Sequence, residues 1–198
     1  MVMAAFSSWR GGVLMLVCAS AQAVPWTVQV RNSAGQPLAD AVVAVELRGR
    51  AAKAVGVKAE MGQRDRQFTP QLLVVQTGTA VNFPNFDTVR HHVYSFSPIK
   101  AFETKLYSGT PSEPIVFDKP GIATLGCNIH DRMSAHIVVV DTPFFAKTDA
   151  AGVARFADLP SGEHQLKTWF AGKATPTFQS QAISVGTAAD QTTLTLGD

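Results

Sequence analysis

Short blocks of apolar or alternating apolar and polar residues recur along the whole chain, and they are rich in Val, Thr and Phe. Gly, Pro, Asn and Asp separate these blocks, which is the pattern of β-strands joined by turns. The pattern predicts an all-β chain with strands at residues 26–30, 41–47, 72–76, 80–83, 91–96, 122–127, 136–140, 144–148, 153–156, 164–170, 182–185 and 192–196. No sustained helical period occurs, and only residues 97–110 offer room for a short helix.

The first 23 residues have the layout of an export signal. Arg10 provides the positive charge, residues 12–17 form the apolar stretch, and Ala21-Gln22-Ala23 is a cleavage site of the small-x-small type. The apolar stretch is too short to cross a bilayer, and no later run reaches the required length of about 20 residues. The sequence therefore predicts a periplasmic protein without a membrane span, cleaved near Ala23.

Charge and cysteine content narrow the possible functions. The chain has 17 basic and 15 acidic residues, without a dense basic stripe, so nucleic acid is not an expected partner. Cys18 belongs to the signal, which leaves Cys127 as the sole cysteine of the mature chain and permits no internal disulfide. A single thiol in an oxidising compartment is protected when it binds a metal.

The segment around Cys127 offers ligands for such a metal. His130 follows three positions later and Met133 six positions later, so thiolate, imidazole and thioether can meet if the loop curls around an ion. Soft sulfur ligands together with imidazole favour copper. One further imidazole is expected from upstream, where the pattern N-x-D-x-x-x-H ends in the pair His91-His92.

The approach to this loop carries a family resemblance. Residues 117–127 read F-x-x-P-G followed by a β-run that ends in Cys127, and the whole arrangement over about residues 61–141 resembles a cupredoxin with the short ligand loop of amicyanin. The resemblance implies a Greek-key β-sandwich and one type 1 copper ion held by His91, Cys127, His130 and Met133. The chain departs from the family at Leu125 and Ala123, where aromatic residues are usual, and at Ala135, where Gly is usual.

Two arguments disagree on the upstream ligand. The cupredoxin pattern H-N-V aligns with residues 91–93, which makes His91 the ligand and His92 its neighbour. Strand alternation favours His92 instead, because His92, Tyr94 and Phe96 would share a face that could be the core face. The motif is weighted above the alternation of a short strand, and His92 stays as the alternate.

A second resemblance involves the two ends of the chain. Residues 28–47 and 147–169 resemble the halves of a transthyretin-like or carboxypeptidase-regulatory-like β-sandwich. The expected division is a signal peptide at 1–23, the two parts of a smaller transthyretin-like sandwich at 24–50 and 142–198, and a cupredoxin domain at 51–141. The complete layout resembles plastocyanin-like proteins labelled methylamine utilisation proteins.

These resemblances imply a type 1 (blue) copper protein that carries single electrons between redox partners in the periplasm. A c-type cytochrome or a dehydrogenase is the kind of partner implied. A complete set of four ligands leaves no position for a substrate, so the chain is not expected to be an enzyme. The alternatives are a periplasmic copper-binding or copper-delivery protein, and a structural β-sandwich protein with a vestigial metal loop.

Overall fold

The computed structural model describes residues 23–111, 113–173 and 175–197. All regular structure in these ranges is β, which confirms the all-β prediction; they contain no helix, and so none able to span a membrane. The expected signal segment, with Cys18, lies outside the described residues except for Ala23. The strands are β1 Ala23–Asn32, β2 Val42–Leu47, β3 Lys58–Glu60, β4 Gly62–Arg64, β5 Gln67–Thr69, β6 Leu72–Gln76, β7 Thr79–Asn82, β8 Tyr94–Ser97, β9 Lys100–Glu103, β10 Ile115–Phe117, β11 Gly121–Gly126, β12 Ser134–Val140, β13 Phe145–Lys147, β14 Val153–Pro160, β15 Gly162–Trp169, β16 Gln179–Val185 and β17 Asp190–Leu196.

The ends of the chain form one β-sandwich. A three-stranded sheet of order β14-β1-β17 packs on a four-stranded sheet of order β13-β2-β15-β16. Alternate residues of β1 point inward, so Trp26 and Val28 are buried, and Leu166 of the facing sheet packs in the same cluster. Burial of such large apolar side chains is the main favourable contribution to the stability of this unit.

The middle of the chain forms a second sandwich, which is complete between β2 and β13. Its five-stranded sheet has the order β6-β12-β11-β8-β9, and a three-stranded sheet of order β10-β7-β3 and the β4-β5 hairpin accompany it. Met61, Phe68, Phe117, Leu125 and Ile137 lie in its core with at most 1% exposure.

The two faces of β11 explain how the sandwiches meet. Ala123, Leu125 and Cys127 point into the core of the second sandwich, whereas Ile122 points outward. Ile122 joins Val42, Trp169 and others in a third buried cluster, which covers one part of the outer face of the five-stranded sheet. The ring of His136 packs edge-on against Trp169 at this interface, with 5.0 Å between ring centroids.

The region after the His91-His92 pair is also β-structure. Residues 97–110, which had room for a short helix, contain strand β9, because Lys100–Glu103 pairs antiparallel with β8. The rings of His92, Tyr94 and Phe96 do follow one another on one face. That face is the outer one, since Phe96 is 77% exposed, so alternation gives no reason to place His92 in the core of the sandwich.

Candidate metal centre

The loop after β11 is short because its two flanking strands are paired up to its ends. Gly126 pairs with Ser134 across the β11-β12 hairpin, which leaves residues 127–133 to make the connection. Within the loop, the amide of Met133 donates to the carbonyl of His130 at 2.9 Å. This turn brings the side chains after Cys127 back over the end of the sheet.

His91 reaches the same place from the connection between β7 and β8. Its backbone pairs with that of Tyr107 through two hydrogen bonds, each of 3.0 Å. The His91 side chain is completely buried.

Three donor atoms converge at this point. The Sγ atom of Cys127 lies 4.0 Å from Nδ1 of His91 and 3.8 Å from Nδ1 of His130. The ligand atoms of all three residues lie within 4.8 Å of one another, and the two imidazole centroids are 4.9 Å apart. When a transition-metal ion binds sulfur at about 2.3 Å and nitrogen at about 2.05 Å with an angle of about 120° between them, the two donor atoms lie about 3.8 Å apart. The spacing therefore fits one ion between the three side chains.

Met133 lies in the same buried cluster as Cys127 and is 1% exposed. Both residues also line an open cavity of about 670 Å³ next to the loop. The thioether of Met133 and the thiol of Cys127 thus belong to one buried cluster at the two ends of the loop.

His92 takes no part in this convergence. Its Nε2 atom lies 2.9 Å from a carboxylate oxygen of Glu103, and its ring packs on Tyr94 with 5.7 Å between centroids. The structure therefore brings His91, rather than His92, to Cys127 and His130.

A carboxylate behind His91 orients the imidazole ring. The Nε2 atom of His91 lies 2.7 Å from Oδ2 of Asp87, on the side of the ring opposite Nδ1. Partial burial raises the pKa of Asp87, but hydrogen bonds from the Arg66 amide, His91 and the Asp65 amide together hold it below its usual range. Asp87 is therefore an anion at neutral pH and accepts the Nε2 proton of His91.

Asn85 organises the loop that carries Asp87 and His91. Its side-chain amide donates to the carbonyls of Val89 and Tyr107, at 2.8 and 3.1 Å, and its side-chain oxygen accepts from the amide of Asp87 at 2.9 Å. The pattern N-x-D-x-x-x-H contained both residues, yet their spacing in sequence indicated no role for them. Only the folded loop shows that Asn85 shapes it and that Asp87 contacts His91.

Tyr107 supports the other side of the His91 segment. Its hydroxyl donates to the carbonyl of Phe83 at 2.6 Å and accepts a hydrogen bond from Gln63. Burial raises the pKa of Tyr107 to about 12; the Gln63 hydrogen bond opposes the shift, and the charge of Cys127 adds to it. The hydroxyl remains protonated at neutral pH and ties this segment to the core.

Comparison with known proteins gives partial matches. No family model matches the chain, and no curated protein does. Among solved structures, it is similar to a purple cupredoxin from Nitrosopumilus maritimus, with 20% identity over 41% of this chain and 98% of that one, at a TM-score of 0.36. It is also similar to amicyanin from Paracoccus versutus, with 16% identity over 49% of this chain and 96% of that one, at a TM-score of 0.38. A copper-containing nitrite reductase from Thermus scotoductus shares 23% identity over 58% of this chain and 28% of its own length, at a TM-score of 0.40.

Proposed function

We propose that this chain is a periplasmic type 1 copper protein that carries single electrons between partner proteins. The observation that carries the proposal is the convergence of one buried thiol with two imidazole nitrogens at 3.8 and 4.0 Å. His91, Cys127, His130 and Met133 would hold one copper ion. Thiolate, imidazole and thioether are the donor set of copper electron-transfer sites.

The surroundings of the ligands favour electron transfer over catalysis. Copper, when bound, supplies the change between two oxidation states. The protein holds the ligands in place: His91 through its backbone pairing and Asp87, and Cys127 at the end of a paired strand. Ligands that move little between the two oxidation states permit fast electron transfer, and four protein ligands leave no open position for a substrate.

The electron would leave through His130. Among the three converging ligands, His91 and Cys127 are buried, whereas His130 is partly exposed. Ile129, its neighbour in the loop, is 47% exposed and offers an apolar contact for a partner protein. A c-type cytochrome or a dehydrogenase is the class of partner to test first, given the resemblance of the layout to proteins labelled methylamine utilisation.

The sandwich formed by the two ends of the chain would serve as a scaffold or docking module. We assign residues 24–50 and 142–198 to this transthyretin-like part and residues 51–141 to the copper domain. The assignment is supported by the two separate cores and by the third cluster, which joins them.

Copper titration with paired variants tests the ligand set. The exported protein is expected to take up one copper per chain and to show an intense visible thiolate-to-copper band that Cys127→Ser removes. His91→Ala is compared with His92→Ala, because both histidines are buried but only His91 faces Cys127. Met133→Leu is compared with Met61→Leu, since both methionines are buried in the same core cluster.

The expected result is that His91→Ala and Met133→Leu alter the band while both control variants keep it. A colourless protein that holds only Cu(I) would indicate copper delivery instead. A chain that binds no copper tightly would favour the structural sandwich with a vestigial loop, and the electron-carrier proposal would be withdrawn.

A further inference from the structure

Asp87 is held by more than its histidine partner. The backbone amide of Asp65 donates to its Oδ1 atom at 2.7 Å, and the amide of Arg66 donates to its Oδ2 atom at 3.0 Å. With the 2.7 Å contact from Nε2 of His91, the carboxylate has three hydrogen-bond donors. Charge-assisted hydrogen bonds of this kind are stronger than those between neutral groups.

The two amides come from the tip of the β4-β5 hairpin. Arg64 pairs with Gln67, so Asp65 and Arg66 form a two-residue turn. Both turn residues have left-handed backbone conformations, with φ of 53° and 58°. Tight hairpins require this conformation, but they usually place Asn-Gly or Asp-Gly there. Arg66 therefore occupies a position where glycine would carry less strain.

The turn has the properties of an anion-binding backbone nest. Successive amides in turn conformations can point at one acceptor, and here both donate to the same carboxylate. The side chains of Asp65 and Arg66 are exposed, so the contact depends on the backbone. The hairpin is thus fixed to the loop that carries His91, about 20 residues further along the chain.

We propose that Asp87 is a positioning residue for the metal ligand His91, and that the Asp65-Arg66 turn holds Asp87 in place for this role. The carboxylate accepts the proton on Nε2, which leaves the lone pair of Nδ1 directed at Cys127. The side-chain oxygen of Asn85 also holds the backbone of Asp87, because it accepts a 2.9 Å hydrogen bond from the Asp87 amide. The inference rests on the proposed function for the identity of the metal, whereas the orientation of the His91 ring by Asp87 is present without a metal.

The first test uses the copper-free protein, so its result does not depend on the proposed function. Long-range ¹H–¹⁵N NMR of the histidine rings is expected to show His91 as the Nε2–H tautomer. In Asp87→Ala, a mixture of tautomers is expected. A wild-type ring with its proton on Nδ1 would overturn the proposal, whatever metal the protein binds.

Amide exchange tests the turn itself. The Asp65 and Arg66 amides are expected to exchange at least about tenfold more slowly in the wild type than in Asp87→Ala, because the variant leaves them open to water. The amides of Ala151 and Val153, which donate to the carboxylate of Asp149, serve as the internal control and should not change. Equal exchange of Asp65 and Arg66 in both proteins would show that the turn does not hold Asp87.

The second test uses the copper-loaded protein. Asp87→Asn is expected to weaken Cu(I) affinity, measured by competition with a chelator, by about 10- to 100-fold and to shift the visible band. Asp149→Asn is the matched control, because the Asp149 carboxylate also accepts two backbone amides, those of Ala151 and Val153, and it should retain wild-type affinity and spectrum. Unchanged affinity and spectrum in Asp87→Asn would refute the positioning role, whereas loss of the band in Cys127→Ser alone would still support the copper site.

Discussion

Replacing Gly126 with alanine tests how the strand before Cys127 is packed. Gly126 pairs directly with Tyr94 of β8, and the tyrosine ring lies across the glycine. A Cβ atom at position 126 would lie 2.6 Å from both Cζ and Oη of Tyr94. An aromatic ring that covers a glycine on the neighbouring strand is a known means of protecting such a position in a sheet.

The expected energy follows from this overlap. Ordinary carbon contacts are about 3.5–4.0 Å, so the ring must move by about 1 Å. Overpacking of this kind costs about 1–3 kcal/mol, and the half-buried position of Tyr94 beside an open cavity puts the cost at about 1–2 kcal/mol. Without the ring, the same change should stabilise the strand by about 0.5–1 kcal/mol, since glycine is unfavourable within a strand.

A double-mutant cycle measures this difference. Urea unfolding of the wild type, Gly126→Ala, Tyr94→Ala and the double variant should give a coupling free energy of about 2 kcal/mol. The effect of Gly126→Ala should change sign when Tyr94 is absent. If Gly126→Ala costs the same in both backgrounds, the contact between the ring and the glycine does not limit this position.

Three further predictions concern the interface, pH and metal. Trp169→Ala should lower the free energy of unfolding by about 3–5 kcal/mol in urea titrations, with Trp169→Phe much milder; a near-neutral Trp169→Ala would contradict the packing between the sandwiches. Burial lowers the pKa of His136 in the folded protein. The neutral ring therefore contributes stability above the unfolded-state pKa of about 6.5, and this contribution is lost as the pH falls through the folded-state pKa. Between pH 7.5 and 5, the free energy of unfolding of copper-free His136→Phe should fall less than that of the wild type. Free copper at 100 times its dissociation constant should stabilise the fold by about 2.7 kcal/mol, and the gain should vanish with a chelator or in Cys127→Ser.

The long apolar strands could be predicted from sequence because their side chains alternate between a core and another surface. Strand β1 is an example, with Trp26, Val28 and Val30 buried in turn. The three-residue strands β3, β4 and β5 carry too few apolar residues to show a period. The β4-β5 hairpin also lacks the glycine that would have marked its turn, since Arg66 stands there instead.

Some residues of the candidate site could likewise be predicted from sequence, and others could not. Cys127, His130 and Met133 lie within one short loop, so their spacing indicated a metal, whereas the choice between His91 and His92 depended on how a distant segment folds. Strand alternation favoured His92 because the face that it shares with Tyr94 and Phe96 was expected to lie in the core, whereas Phe96 is 77% exposed. The contact between Asp87 and His91 could not be predicted from sequence, since the Asp87 carboxylate is held by amides from the separate β4-β5 hairpin.

A reversible one-electron titration of the copper-loaded protein shows whether this chain can carry electrons. The visible band is expected to disappear with one electron per copper and to return fully on reoxidation, without loss of metal. A band that never forms, or copper that leaves the protein on reduction, would contradict the account of this chain as an electron carrier.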